Sequence, residues 1–463
     1  MAVQRVKRLM AVFRPVRGQI RPLAPWRRPG TSPALLRLLL LFQLLLLSAP
    51  VMAPAQEQSP PQQPGKQPGQ QSGPPMLLQP LVDKTADGGT LLLEPGHYLG
   101  PVVINRPITI DGNKRQAVVD NRGTGTVFLV EADGVTLRNL TIINSGESHD
   151  QIDSGIRLRS ANNRVEGNRI RNTLFGVDLR EAHHNLIEDN DISSLDLDLG
   201  VRGDGIKVWA SHNNTFRNNR IFDSRDFVMW YSNKNLIENN QGWNNRYSLH
   251  FMYADSNRVL GNTYRHNAVG IFLMYSKDGL IQNNNIFNSL GSTGMGIGMK
   301  ESSGMTILDN RLIYCATAIY LDMSPFDDEL INRIENNDIS YNVQGIVFHS
   351  DWSGNEIRNN SIYSNIHNVS VRGNGTALEN LFEGNYWSDY QGFDRDRDGI
   401  GDTPHQERIY MDQLWMDFPA VKFFYGSPVF TFLDFLARLV PFTEPRLIME
   451  DHRPVFNQEG LKR

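Results

Sequence analysis

The chain has 463 residues, with 46 Lys and Arg against 50 Asp and Glu. Nine of the cations lie in the first 55 residues, which hold no acidic residue; taking them away leaves 37 basic against 50 acidic residues, a net charge of −13. That acidity excludes nucleic acid and anionic lipid as natural partners, and the single cysteine, Cys315, excludes an internal disulfide.

Residues 1–55 run from a basic region through a Leu-rich core, residues 38–47, to the small-residue stretch Ala53, Pro54, Ala55. That order predicts a secretory signal, because the apolar core is short for a membrane span. Residues 56–75 are, apart from Glu57 and Lys66, Gln, Pro, Gly and Ser and read as a flexible linker. Residues 76–86 read as a short amphipathic helix that caps the first repeats.

A phrase then returns ten times over residues 165–387: an apolar residue, two polar positions, Asn, one more residue, then another apolar one. Val165, Glu166, Gly167, Asn168, Arg169 and Ile170 give the pattern. Its leading residues are Val165, Ile187, Phe216, Ile237, Val259, Ile281, Ile307, Ile334, Ile357 and Phe382, spaced 22, 29, 21, 22, 22, 26, 27, 23 and 25 apart. A period in the low twenties with strand-like alternation predicts a solenoid with one coil per repeat. The expected fold is all-β, a right-handed parallel β-helix over residues 76–383 with an N-terminal cap. An Asp/Gly-rich loop (384–410) and a C-terminal helix and tail (411–463) complete the chain. Asn at fixed turn positions is expected to stack as a ladder, and Cys315 to fill a small-residue slot near such a turn.

Each repeat carries a second apolar-polar-apolar strand. Taking these to begin at Ile206, Val228, Leu249, Ile271 and Ile297 gives two outward columns. The first is Lys207, Met229, His250, Phe272, Gly298. The second is Trp209, Tyr231, Met252, Met274, Lys300. Met229, His250, Met252 and Met274 are thereby brought together, and thioether with imidazole is the donor set Cu(I) prefers. The same residues also suit a plain protein-docking patch. A second metal candidate is His183 with His212, four residues before Ile187 and Phe216 and so stacked on adjacent coils.

In the tail, Asp394, Asp396, Asp398 and Asp402 with Gly399 occupy positions 1, 3, 5, 9 and 6 of a calcium-loop pattern, although His405 stands where its bidentate Glu belongs. Farther on, Val429, Phe432, Leu433, Leu436 and Leu439 fall on one helical stripe that needs a surface to cover.

The coil repeats, the Trp387-Ser-Asp-Tyr390 phrase with its acidic loop, the Ser427-Pro428 segment and Asp451, His452, Arg453, Pro454 together resemble the NosD family. The resemblance covers residues 77–456. It implies a periplasmic β-helix protein that works with an ATP-binding-cassette transporter, composed of a membrane permease and a cytoplasmic ATPase. It also implies a part in supplying copper, through a copper chaperone, to the copper cluster of nitrous oxide reductase. No Gly-x-x-x-x-Gly-Lys-Ser/Thr loop occurs, so ATP falls to a partner. The expected role is non-enzymatic. The alternatives are a polysaccharide lyase or epimerase, or a carbohydrate-binding β-helix, for which Arg157, Arg159, Asp178, Arg180, Asp204, Lys207, Trp209, Asp226 and Tyr231 are raw material, and a passive docking scaffold.

Overall fold

The computed structural model describes residues 75–349, 352–373, 375–409, 427–429, 431, 432, 435 and 446–458. The expected signal, nearly all of the linker, and Leu433, Leu436 and Leu439 lie outside the described residues.

The chain is a right-handed parallel β-solenoid. Its described residues form three sheets of 15, 14 and 12 strands, met in that order along each coil. The 15-stranded sheet carries the leading residue of every repeat. Val165 pairs with Ile187, Ile187 with Phe216, and the register continues unbroken through Ile237, Val259, Ile281, Ile307, Ile334 and Ile357 to Phe382. All ten are buried. Alternation with period two points each of them inward, and stacking strands at about 4.8 Å turns them into one apolar column.

The Asn of the phrase makes the corner between the first two sheets. Asn262 shows the arrangement. Its Oδ1 accepts from Asn240 N at 2.8 Å and Asn240 Nδ2 at 3.0 Å, while its own Nδ2 donates to Ile237 O at 3.0 Å and Asn284 Oδ1 at 2.9 Å. The same chain of bonds runs from Asn168 to Asn385. It ends on Asp451, whose Oδ2 takes Asn385 N, Asn385 Nδ2 and Trp387 Nε1. A carboxylate suits the last rung because it needs only donors. The residue before each Asn sits at positive φ, for example Gly167, Asn239 and Asn283, where Gly and Asn are the least strained choices. Cys315 is buried, with its N–H bonded to Asn342 Oδ1, and burial raises its thiol pKa to about 11.

At the front end, Met76–Leu77 pairs with Gly96–Leu99, and the helix Gln79–Lys84 buries Val82 and, just before it, Leu78. At the far end, Phe382 pairs with Asp451 of the strand Arg446–Asp451, which in turn pairs antiparallel with His405–Ile409.

Candidate functional site

The 12-stranded sheet shows one face to solvent, and its register fixes which side chains share it. Lys207 pairs with Val228, Val228 with His250, His250 with Phe272, and Phe272 with Gly298. The neighbouring column is Trp209, Trp230, Met252, Met274, Lys300. Two residues expected in these columns are elsewhere. Met229 pairs with Val208 and Phe251 and is fully buried, so it lines the core and not the face. Tyr231 lies beyond the strand end at positive φ, stacked on Tyr253 at 5.2 Å; Trp230 holds the place predicted for it. The reason is that Ile206 pairs with Phe227 and not with Val228, one residue earlier than the expected phase, and a slip of one residue exchanges the two faces.

His250, Met252 and Met274 do come together. His250 Nε2 lies 3.3 Å from Met274 Sδ, and Met252 and Met274 are register partners on adjacent strands. His250 is largely buried, against Tyr247 at 4.7 Å and Phe272 at 6.1 Å. On its other side Asp226 Oδ2 lies 3.9 Å from Nδ1, too long for a hydrogen bond but close enough to orient the ring electrostatically. An imidazole with a carboxylate behind it and a thioether in front has the layout of a metal ligand with its outer-shell partner.

Asp226 is itself held. Arg246 Nε donates to its Oδ1 at 3.0 Å, and Arg246 Nη2 lies closer still to Oδ2. One coil before, Asp204 takes Arg225 Nε at 3.0 Å and Nη2 at 3.3 Å. Burial raises the Asp204 carboxyl to about 7, and the charge of Asp226 pushes the same way. Burial also pushes Asp226 up, but His250 and Arg246 outweigh it and leave that carboxyl below the usual range. These groups floor a cleft of about 260 Å³, lined also by His149, Phe175, Lys207 and Trp230. Lys207 Nζ sits 5.6 Å from both the Trp209 and Trp230 rings. The sequence marks Asp204 and Asp226 only as strand-leading acids. The signal for their tie to His250 is the offset of Arg225 and Arg246, which keep step with them from coil to coil.

His183 and His212 stack face to face, centroids 5.2 Å apart and planes 4° from parallel. Each Nδ1 accepts a backbone N–H of the next coil, His183 from His212 and His212 from Asn233, both at 3.0 Å. With Nδ1 accepting, the neutral ring carries its proton on Nε2, so neither histidine keeps a free lone pair for an ion. Burial, followed by the charges of His183 and Lys234, lowers the His212 pKa.

In the tail loop, Asp394, Asp396 and Asp398 bring carboxylate oxygens within 4.8 Å of one another. Asp402 is outside that group; its Oδ2 takes the Arg395 N–H at 2.8 Å. Val429 and Phe432 are exposed. Among the charged residues of the face, Arg157 and Asp178 are paired at 2.9 Å.

The family model for the periplasmic copper-binding protein NosD matches residues 193–392, and a right-handed β-helix model matches residues 108–224. A protein of Pseudomonas aeruginosa named a probable ABC transporter binding protein NosD is 29% identical over 386 residues, covering 79% of this chain and 88% of its own. One of the same name from Stutzerimonas stutzeri is 26% identical over 394 residues, covering 78% and 85%. Among solved structures, the A-module of a mannuronan C-5 epimerase from Azotobacter vinelandii superposes with a TM-score of 0.55 at 18% identity, over 68% of this chain and 95% of the module. That likeness is one of fold. Both curated relatives carry the name of a binding protein, and each aligns over nearly four fifths of the chain. With the residues matched by the family model, they show that this chain is similar to NosD proteins.

Proposed function

We propose that the chain is the exported, periplasmic component of an ABC-type copper-delivery system that serves maturation of the copper cluster of nitrous oxide reductase. It acts without catalysis. A copper chaperone hands Cu(I) to the face formed by His250, Met252 and Met274, the tail around Val429 and Phe432 docks on the transporter permease, and the reductase receives the metal. The observation that carries this reading is the 3.3 Å approach of His250 Nε2 to Met274 Sδ, since one imidazole with thioether neighbours suits Cu(I) and repels harder ions. The names of the curated relatives support the transporter link. The Asp394 loop enters as a structural calcium site, which calorimetric titration with Ca²⁺ decides.

The test is Cu(I) competition against a chromogenic chelator, paired with the copper content of the reductase made in the same cells. His250→Ala and Met274→Ala are each expected to weaken Cu(I) binding about tenfold or more, and Asp226→Asn by about 10–100-fold through the orientation of the ring. Full affinity and full reductase metallation in a variant lacking His250, Met252 and Met274 together would end the proposal.

One observation favours a second reading. Asp204 near pKa 7, beside Arg225, Arg246 and Trp230, has the make-up of a proton-transfer site next to cations able to hold a uronate carboxylate. Turnover of alginate or pectin by the purified protein, abolished in Asp204→Asn, would put an enzyme in place of a carrier; no turnover is expected.

A further inference from the structure

The end of the solenoid carries a second group of metal-binding side chains, far along the coil stack from the His250 face. His405 opens the strand His405–Ile409, and Glu407 comes two residues later on the same side of it. Asp389 comes from the turn after Tyr386–Trp387. One donor atom from each of the three lies within 4.8 Å of the others.

The histidine marks the group as more than a cluster of acids. His405 is 6% exposed, its ring stacked on Trp387 at 4.8 Å. Its Nε2 is buried without a hydrogen-bond partner and points at Asp389 Oδ1, 3.7 Å away. That distance is too long for a hydrogen bond. It is close to the separation of about 3.3 Å between two ligands that share a tetrahedral ion at 2.0–2.1 Å. Asp389 Oδ1 is fixed by Asn368 Nδ2 at 2.9 Å. Burial lowers the His405 pKa against the opposing pull of Asp389 and Asp451.

We propose that His405, Asp389 and Glu407 bind a borderline divalent ion of the zinc class and clip the closing strand pair to the last coil. One imidazole and two carboxylates leave a fourth tetrahedral position for water. The donor set has no thioether or thiolate, the soft donors that select Cu(I). It has a nitrogen that Ca²⁺ avoids. The two ends of the clip belong to different parts of the chain: Asp389 lies just past the last strand of the 14-stranded sheet, whereas His405 and Glu407 lie on the antiparallel strand that closes the 15-stranded one.

The experiment is calorimetric titration of the full-length, tag-free, chelator-stripped protein with Zn²⁺ alone, and then thermal unfolding with and without the ion. Wild type is expected to bind one zinc ion with these residues and to melt higher in its presence, as binding to the native state requires. His405→Ala removes a ring packed on Trp387 and confounds folding with binding, so the carboxylates carry the test. Asp389→Asn and Glu407→Gln are expected to weaken zinc binding at least tenfold and to abolish the thermal gain. Met252→Ala with Met274→Ala is expected to leave both unchanged. Absence of zinc binding to wild type, wild-type zinc affinity in Asp389→Asn and Glu407→Gln, or loss of zinc binding with the methionines would each overturn the clip. The copper proposal is read on Cu(I) and stands or falls separately.

Discussion

Asp204 and Asp226 lead adjacent strands of one sheet, and their unequal surroundings separate their proton affinities. Asp204 is raised to about 7, chiefly by burial and then by the charge of Asp226. A carboxyl whose folded pKa exceeds its unfolded value gives stability that is complete below about pH 4 and is lost as pH rises toward 7. Asp226 lies on the opposite side, and its contribution is lost only in acid, below its ordinary pKa of 3.8. His212, lowered from 6.5, costs stability as pH falls below that value, within the same window. The difference between wild type and Asp204→Asn therefore isolates the Asp204 effect. The variant is expected to gain on wild type steadily from pH 4 to pH 7, by at most about 4 kcal/mol at three pKa units, in melting temperatures taken across that range. A constant difference at all pH values would show that Asp204 is charged throughout. The residue scale is also where sequence reading fails. Phe227, Val228, Met229 and Trp230 are four apolar residues in a row, so period two gives no sign of which pair faces inward, and spacing alone puts Met229 on the wrong face. His250 and Met252 fall on the expected face because Ser248 and the apolar Leu249 and Phe251 set the phase.

At the scale of the element, the ladder is legible in the sequence because its signal is redundant. Ten copies of one phrase specify the same inward residue and the same Asn, and together they set the register of the whole 15-stranded sheet. What the phrase does not carry is the direction of each Asn amide or the use of Asp451 as the closing rung, since Asp451 is far from the repeat in sequence. Nor does spacing show that the ring nitrogens of His183 and His212 are taken up by backbone N–H groups. The energetic content of a rung is measurable. Asn262→Ala removes the acceptor for Asn240 N and Asn240 Nδ2 and leaves two buried donors unpaired, at about 1–3 kcal/mol each. A loss of about 2–6 kcal/mol in urea unfolding is expected. Asn283 next along the corner is exposed, with φ 55; Asn283→Gly keeps the backbone conformation and is expected to change stability by only a few tenths of a kcal/mol. Equal losses in the two variants would mean that the ladder contributes nothing beyond local turn geometry.

For the whole molecule the problem is termination. A parallel coil stack has two open ends, each a row of unpaired N–H and C=O groups ready to pair with another copy. The front end is covered by the Gln79–Lys84 helix with Leu78 and Val82 buried beneath it. The far end is closed by chain that returns over the last coil. Arg446–Asp451 adds to Phe382, buries Ile448 and Met449, and presents Asp451 to the last Asn and to Trp387. The antiparallel strand His405–Ile409 then becomes the outer edge, with Gln406 and Arg408 exposed along it, and charge on an edge discourages further pairing. Deleting residues 446–463 should therefore do two things at once. It should lower the melting temperature, because Trp387 Nε1 and the Asn385 donors lose their acceptor. It should also give larger species than wild type in light scattering behind size exclusion, because Phe382 and its strand are left as a bare edge. Asp451→Leu separates the effects: the strand remains, so the protein should keep the wild-type size while losing about 3 kcal/mol or more from three unpaired donors. A truncated chain that keeps the wild-type size and melts with wild type would mean that the returning strand does not terminate the coil.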